Sequence, residues 1–134
     1  MRLGFKELPG PPTDYLRPVA PVRVEGQNLL VAGLLDTGSL ENRFGSWVAE
    51  ALGLDLQAAE PVDLAIGGVI THARSIPVDL AIEGLAWRAP VSFCDPWPFG
   101  FHLLGQEGFF RFFHVSIRAS SYQLDLEPDT GEAA

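Results

Sequence analysis

Cysteine occurs once in this sequence, at Cys94, so no disulfide can form within the chain and no cysteine-based zinc site can be completed. A lone thiol fits a reducing compartment, and the cytoplasm is the expected location. Cations are scarce as well: nine Lys and Arg stand against seventeen Asp and Glu, for a formal net charge of -8. Binding nucleic-acid phosphates calls for clustered Lys and Arg, so no nucleic-acid partner is expected. No apolar run approaches the roughly 20 residues of a membrane span. Met1 to Pro9 also lack the continuous apolar core of a signal peptide. The three histidines, His72, His102 and His114, share no ligand spacing, and no metal site is expected from them.

What the chain does have is apolar content and turn formers. Hydrophobic residues make up 47% and charged residues 19%, which describes a globular chain rather than a disordered one. At 134 residues it is long enough for one domain with a real core. Fourteen Gly and eleven Pro point to short elements and β structure. Residues 1–17, with Pro9, Pro11 and Pro12 and no clear period, read as an irregular N-terminal arm. At the other end, fraying is expected from Glu127 onwards, with 129–134 a polar C-terminal tail.

Between these ends the pattern alternates. Val22 and Val24 flank Arg23, Glu25-Gly26-Gln27 turns the chain, and Asn28 to Leu35 runs back as a second strand. Phe44, Val48 and Leu52 recur at helical spacing beside Trp47 and Ala51, and Gly53 marks a stop, so a short helix is expected within 44–54. Pro61 to Ile66 and Val69 to Leu80 form strands about Gly67-Gly68, and Trp87 to Phe93 forms another. After the break at Asp95-Pro96-Trp97-Pro98, Phe101 to Gly105 reads as a short buried strand. Gln106 to Phe113 reads as a brief helix with Phe109, Phe112 and Phe113 inward. A last hairpin joins 114–118 to 122–126, with Tyr122, Leu124 and Leu126 on one face.

One residue stands out in this pattern. The apolar run Leu29 to Leu35 ends in Asp36-Thr37-Gly38-Ser39, and a carboxylate at the end of a buried strand is costly unless donors or a partner hold it. Alone, Asp36 reads equally well as the opening of a turn. Two further marks follow in order: the glycine-tipped hairpin Ile66-Gly67-Gly68-Val69, and Leu103-Leu104-Gly105 leading into a short helix. Gly67-Gly68 by itself is an ordinary turn, and no Lys-Ser/Thr follows to make it a phosphate loop.

Taken together, in this order, the three marks resemble the retropepsin-like aspartic proteases, single-domain relatives of pepsin. The resemblance spans 18–128. It implies an all-β acid-protease fold, a closed β-barrel-like body with one or two short helices. It implies an aspartic endopeptidase acting on an extended peptide or protein substrate without metal or cofactor. That chemistry needs two carboxylates sharing one proton, one activating water and the other protonating the carbonyl oxygen. The chain offers one credible candidate, so the resemblance implies a homodimer with Asp36 from each subunit on a two-fold axis. The second triplet, Asp129-Thr130-Gly131, follows no apolar strand and is assigned no role.

Further roles follow from the same likeness. Thr37 would bond across the axis, and Gly38 would let the backbone approach the carboxylate. Ser39, an alanine in many viral members, would donate its hydroxyl to Asp36. Ile66, Gly67, Gly68 and Val69 would form a flap over substrate, and Leu103, Leu104 and Gly105 would buttress the active-site loop. Gln106-Glu107 replace the Arg-Asp or Arg-Asn of many members, so the viral interface ion pairs do not carry over. The strand ending at Leu126 is left to join an intersubunit sheet or to close its own hairpin. A non-catalytic dimerisation or peptide-binding module of the same fold is the alternative.

Overall fold

The architecture comes from a computed structural model that describes residues 1–8 and 15–129. In chain order the strands are β1 (Arg2–Gly4), β2 (Lys6–Glu7), β3 (Leu16–Arg17), β4 (Val19–Val24), β5 (Leu30–Leu35) and β6 (Asn42–Gly45). The helix α1 (Ser46–Leu52) follows. Then come β7 (Val62–Ile66), β8 (Val69–Ile82), β9 (Leu85–Asp95), β10 (His102–Leu104), β11 (Phe113–Arg118) and β12 (Gln123–Pro128). Six strands close on themselves in the order β4-β5-β10-β6-β9-β8, with β8 returning to β4 through Arg23↔Ala81 and Val24↔Leu80. The fold is therefore all-β and barrel-like. Closure leaves the ring without free edges, and β7 hangs outside it on β8.

Alternation explains why these residues line the barrel. Val22 and Val24 on β4, and Val78, Leu80 and Ile82 on β8, are buried, while the residues between them face outward or are half-buried. β8 is 14 residues long, about 46 Å at the rise of a strand, so it outruns the barrel. Its first half forms an arm with β7, and its second half completes the ring. Gly53 ends α1 in the left-handed conformation, φ 66°, as its position after Leu52 predicts.

Several expectations need correction. Phe44 belongs to β6, paired with Phe93 of β9, and the helix begins two residues later. Trp47 is 46% exposed, because a seven-residue helix buries only its Val48 and Ala49 face. The arm is not wholly irregular. Arg2–Gly4 pairs with β12, burying Leu3 against Leu124, and Lys6–Glu7 pairs with β3. A three-residue strand shows no period, and its partner lies over a hundred residues away. Pro9, Pro11 and Pro12 lie outside the described residues.

Nor does fraying begin at Glu127: β12 continues through Glu127 and Pro128 opposite His114 and Phe113. Of the expected tail only Asp129 is described. The brief helix after Gly105 is a π turn at Gln106–Phe110, with Phe110 and Arg111 donating five residues back to Gly105 and Gln106. That wider turn shifts the facing, so Phe109 and Phe113 are buried and Phe112 only half-buried. Tyr122 does not share the face of Leu124 and Leu126. It closes the loop at φ 55° and is 54% exposed.

Candidate active site

Asp36 follows β5 directly, and its N–H donates to the Leu104 carbonyl at 3.0 Å. β10 lies between β5 and β6, the two strands that the Asp36 loop joins. It runs parallel to β5, matching Leu103 with Leu34 and Leu104 with Leu35, and antiparallel to β6. The loop then folds on its own carboxylate. The Gly38 N–H donates to Asp36 Oδ1 at 2.9 Å, and the Ser39 N–H to the Asp36 carbonyl at 3.1 Å. A Cβ on Gly38 would sit 3.1 Å from Asp36 Oδ1, so glycine there gives the carboxylate room.

Residues 104–108 clamp the loop from behind. Gln106 N–H donates to the Ser39 carbonyl at 2.9 Å, and Glu107 N–H to the Leu40 carbonyl at 2.8 Å. Gln106 Nε2 donates to the Thr37 carbonyl at 2.6 Å. Fully buried Asn42 accepts from Gly105 N–H at 3.0 Å and donates to the Gly108 carbonyl at 2.9 Å. A side chain on Gly105 would collide with the Glu41 carbonyl, and would lie 2.7 Å from the Ser39 carbonyl oxygen. Gly105 has an ordinary φ of -113°, so it is required for close approach rather than for an unusual backbone. Ser39 differs from its expected role. Its buried hydroxyl donates to the Glu41 carbonyl at 2.7 Å, bracing the loop instead of the Asp36 carboxylate.

Opposite the loop stands the β7–β8 hairpin. Gly67 and Gly68 both have positive φ, 55° and 79°, which a two-residue turn of this hand demands, and Ile66 pairs with Val69 to close it. Phe99 lies beneath the tip, 3.1 Å from where a Gly67 Cβ would stand. A cleft of about 360 Å³ runs between hairpin and loop, lined by Asp36, Gly38, Ser39, Arg43, Ile66, Gly67 and Leu103 among others. The structure thus brings Asp36, Gly38 and Ser39 to one wall with Ile66, Gly67 and Leu103. Thr37, Gly68, Val69, Leu104 and Gly105 are not part of that wall; Thr37 is exposed beside it and Leu104 is buried behind it.

A larger concavity, about 680 Å³, covers the β1-β12-β11 sheet, but its charges are already engaged, as in Arg2 Nε to Asp125 Oδ1 at 2.9 Å. We place the site at the smaller cleft, where a half-buried acid faces a glycine-tipped hairpin. Asp129 is elsewhere, its N–H on the Phe112 carbonyl and its carboxylate 3.7 Å from His114 Nε2. Thr130 and Gly131 lie outside the described residues. Among the described residues no three His, Cys, Asp or Glu side chains gather as metal ligands, and no helix is long and apolar enough to cross a membrane.

Behind the site, His102 is buried to 1% exposure and accepts from the Gly45 N–H at Nδ1 (3.1 Å). Burial pushes its pKa down to about 4. Burial also pushes the Cys94 thiol up to about 11, which leaves it protonated and unreactive. Sequence reasoning missed Asn42, Arg43, Phe99 and the Gln106 side chain. Asn42 stands between Glu41 and Arg43, so nothing in the local sequence marks it as a buried clamp. No protein-family model matches the chain, and no curated protein matches it.

Proposed function

We propose that this chain is a retropepsin-like aspartic endopeptidase that works as a homodimer. The observation that carries the reading is the cleft shared by Asp36 and the β7–β8 hairpin. An extended peptide lying there has backbone groups above it, at the hairpin, and an acid below it. Asp36 is the only acid among the described residues lining this cleft, so a two-carboxylate mechanism requires a second copy. Thr37, Gly38 and Leu40 are exposed around Asp36, which leaves the loop open to a twin.

In the proposed reaction, two Asp36 carboxylates share one proton, because two like charges this close do not both ionise. The ionised one takes a proton from water as the oxygen attacks the peptide carbonyl. The protonated one donates to the carbonyl oxygen, giving a neutral tetrahedral diol. Collapse breaks the C–N bond as the leaving amine takes a proton from one carboxyl of the pair and a diol hydroxyl returns one to the other, so the pair ends with its single shared proton. Gly38 N–H steadies the carboxylate, Gln106 and Gly105 hold the loop, and Gly67-Gly68 let the hairpin close. The half-buried loop keeps its geometry before substrate arrives, which is what positions the water.

Asp36→Asn tests the reading. It is expected to abolish peptide cleavage while the protein stays folded and dimeric, because Asn keeps an oxygen for the Gly38 N–H. A wild-type dimer that is inert from acidic to neutral pH and binds no statine-type inhibitor instead indicates a peptide-binding module.

A further inference from the structure

Arg43 has no part in the proposed chemistry, yet it is the only charged side chain besides Asp36 among the described residues lining the cleft. Its backbone is fixed in the barrel, paired with Leu103 on one side and Ser92 on the other. The side chain is 13% exposed, and its Nη1 is buried with no hydrogen-bond partner among the described residues. The nearest carboxylate, Glu41, lies 3.7 Å from Nη2, beyond hydrogen-bond reach. Glu41 is also engaged elsewhere, its Oε2 accepting from Ser92 Oγ at 2.7 Å. Nη1 itself is shut off from the cleft, so a ligand there meets only the exposed part of the side chain, whose one carboxylate neighbour holds it loosely.

We propose that Arg43 is the specificity-determining residue of this cleft and selects an acidic side chain, Asp or Glu, on the extended peptide next to the bond to be cut. The inference rests on the endopeptidase reading above. Of the ordinary side chains, a carboxylate best complements a guanidinium charge held in a largely desolvated cleft. Ile66 and Leu103 line the same cleft and lower the local dielectric, which strengthens the contact. The net charge of -8 opposes an acidic peptide at long range. Over about 8 Å at physiological salt that opposition is screened, so the contact itself decides. Glu41 competes for the same cation, which holds the selectivity to roughly ten- to hundredfold.

The test compares kcat/KM of the wild-type protein on matched peptides carrying Glu or Gln at each position flanking the cleaved bond. The expected result is a Glu preference of roughly ten- to hundredfold at one position. Arg43→Met is expected to bring that ratio to about one, and Arg43→Glu to move the preference at that position to Lys. Equal rates for Glu and Gln at every position in the wild type overturn the inference while leaving the endopeptidase reading intact. So does a Glu preference that survives Arg43→Met. The wild-type comparison stands even if a variant misfolds. Failure of the wild type to cleave any peptide of the set overturns both readings.

Discussion

His102 ties the stability of the fold to pH, at the scale of one residue. Its folded pKa is lowered to about 4 because burial disfavours the charged ring, whereas the unfolded chain protonates it near the ordinary value of 6.5. Between those values the unfolded state binds the extra proton, so stability is fully present above 6.5 and is lost as pH falls towards 4. The loss between pH 7 and pH 5 is expected to be about 2 kcal/mol from this group, read by denaturant unfolding at the two pH values. His102→Gln should flatten that slope. Ser39 gives a second residue-scale prediction. Because its hydroxyl serves the Glu41 carbonyl, Ser39→Ala should leave the pH–rate profile in place and cost about 1 kcal/mol of stability. A shifted acidic limb would instead mean that the hydroxyl reaches Asp36.

At the scale of the element, β10 and the turn after it matter more than their eight or so residues suggest. Leu103-Leu104 threads between the two strands that the Asp36 loop connects, and Gly105 passes against the Glu41 carbonyl. Gly105→Ala has no flexible neighbour to push aside, since the atoms in its way are backbone. It is expected to destabilise by about 2–3 kcal/mol and to reduce cleavage more steeply than stability, by displacing the loop. Thermal unfolding beside kcat at saturating peptide separates the two effects. The motif was legible in the sequence as apolar-apolar-Gly, but the reason for its glycine was not. A φ of -113° suits any residue, and only the close approach of the loop backbone at Ser39 and Glu41 excludes a side chain. The same holds for Trp47 and Tyr122, whose spacing suggests burial that a seven-residue helix and a left-handed loop residue do not deliver.

For the whole molecule, the proposed dimer makes a prediction that no single chain can meet. Wild type and Asp36→Asn, mixed in equal amounts at constant total protein and allowed to exchange subunits, should retain about a quarter of the wild-type activity. Independent subunits would retain about half. Activity per chain should also fall on dilution through the dimer dissociation constant. The barrel itself does not depend on the partner in the same way: its ring closes within one chain through β4 and β8, and β1 closes onto β12 of its own chain.

The sequence alone determined the strand leading into the Asp36 loop, the glycine-tipped hairpin, the stop at Gly53 and the order of the three marks. Each of these is a local pattern, written in alternation, turn chemistry or a left-handed glycine. Tertiary structure decided the rest. It directed Ser39 to Glu41, placed Asn42 as the clamp, paired the first strand with the last, and brought Arg43 to the cleft of Asp36 with its carboxylate neighbour Glu41 held off at 3.7 Å. These are meetings between residues far apart in the chain or on opposite sides of a strand, and no period of two or of 3.6 carries them.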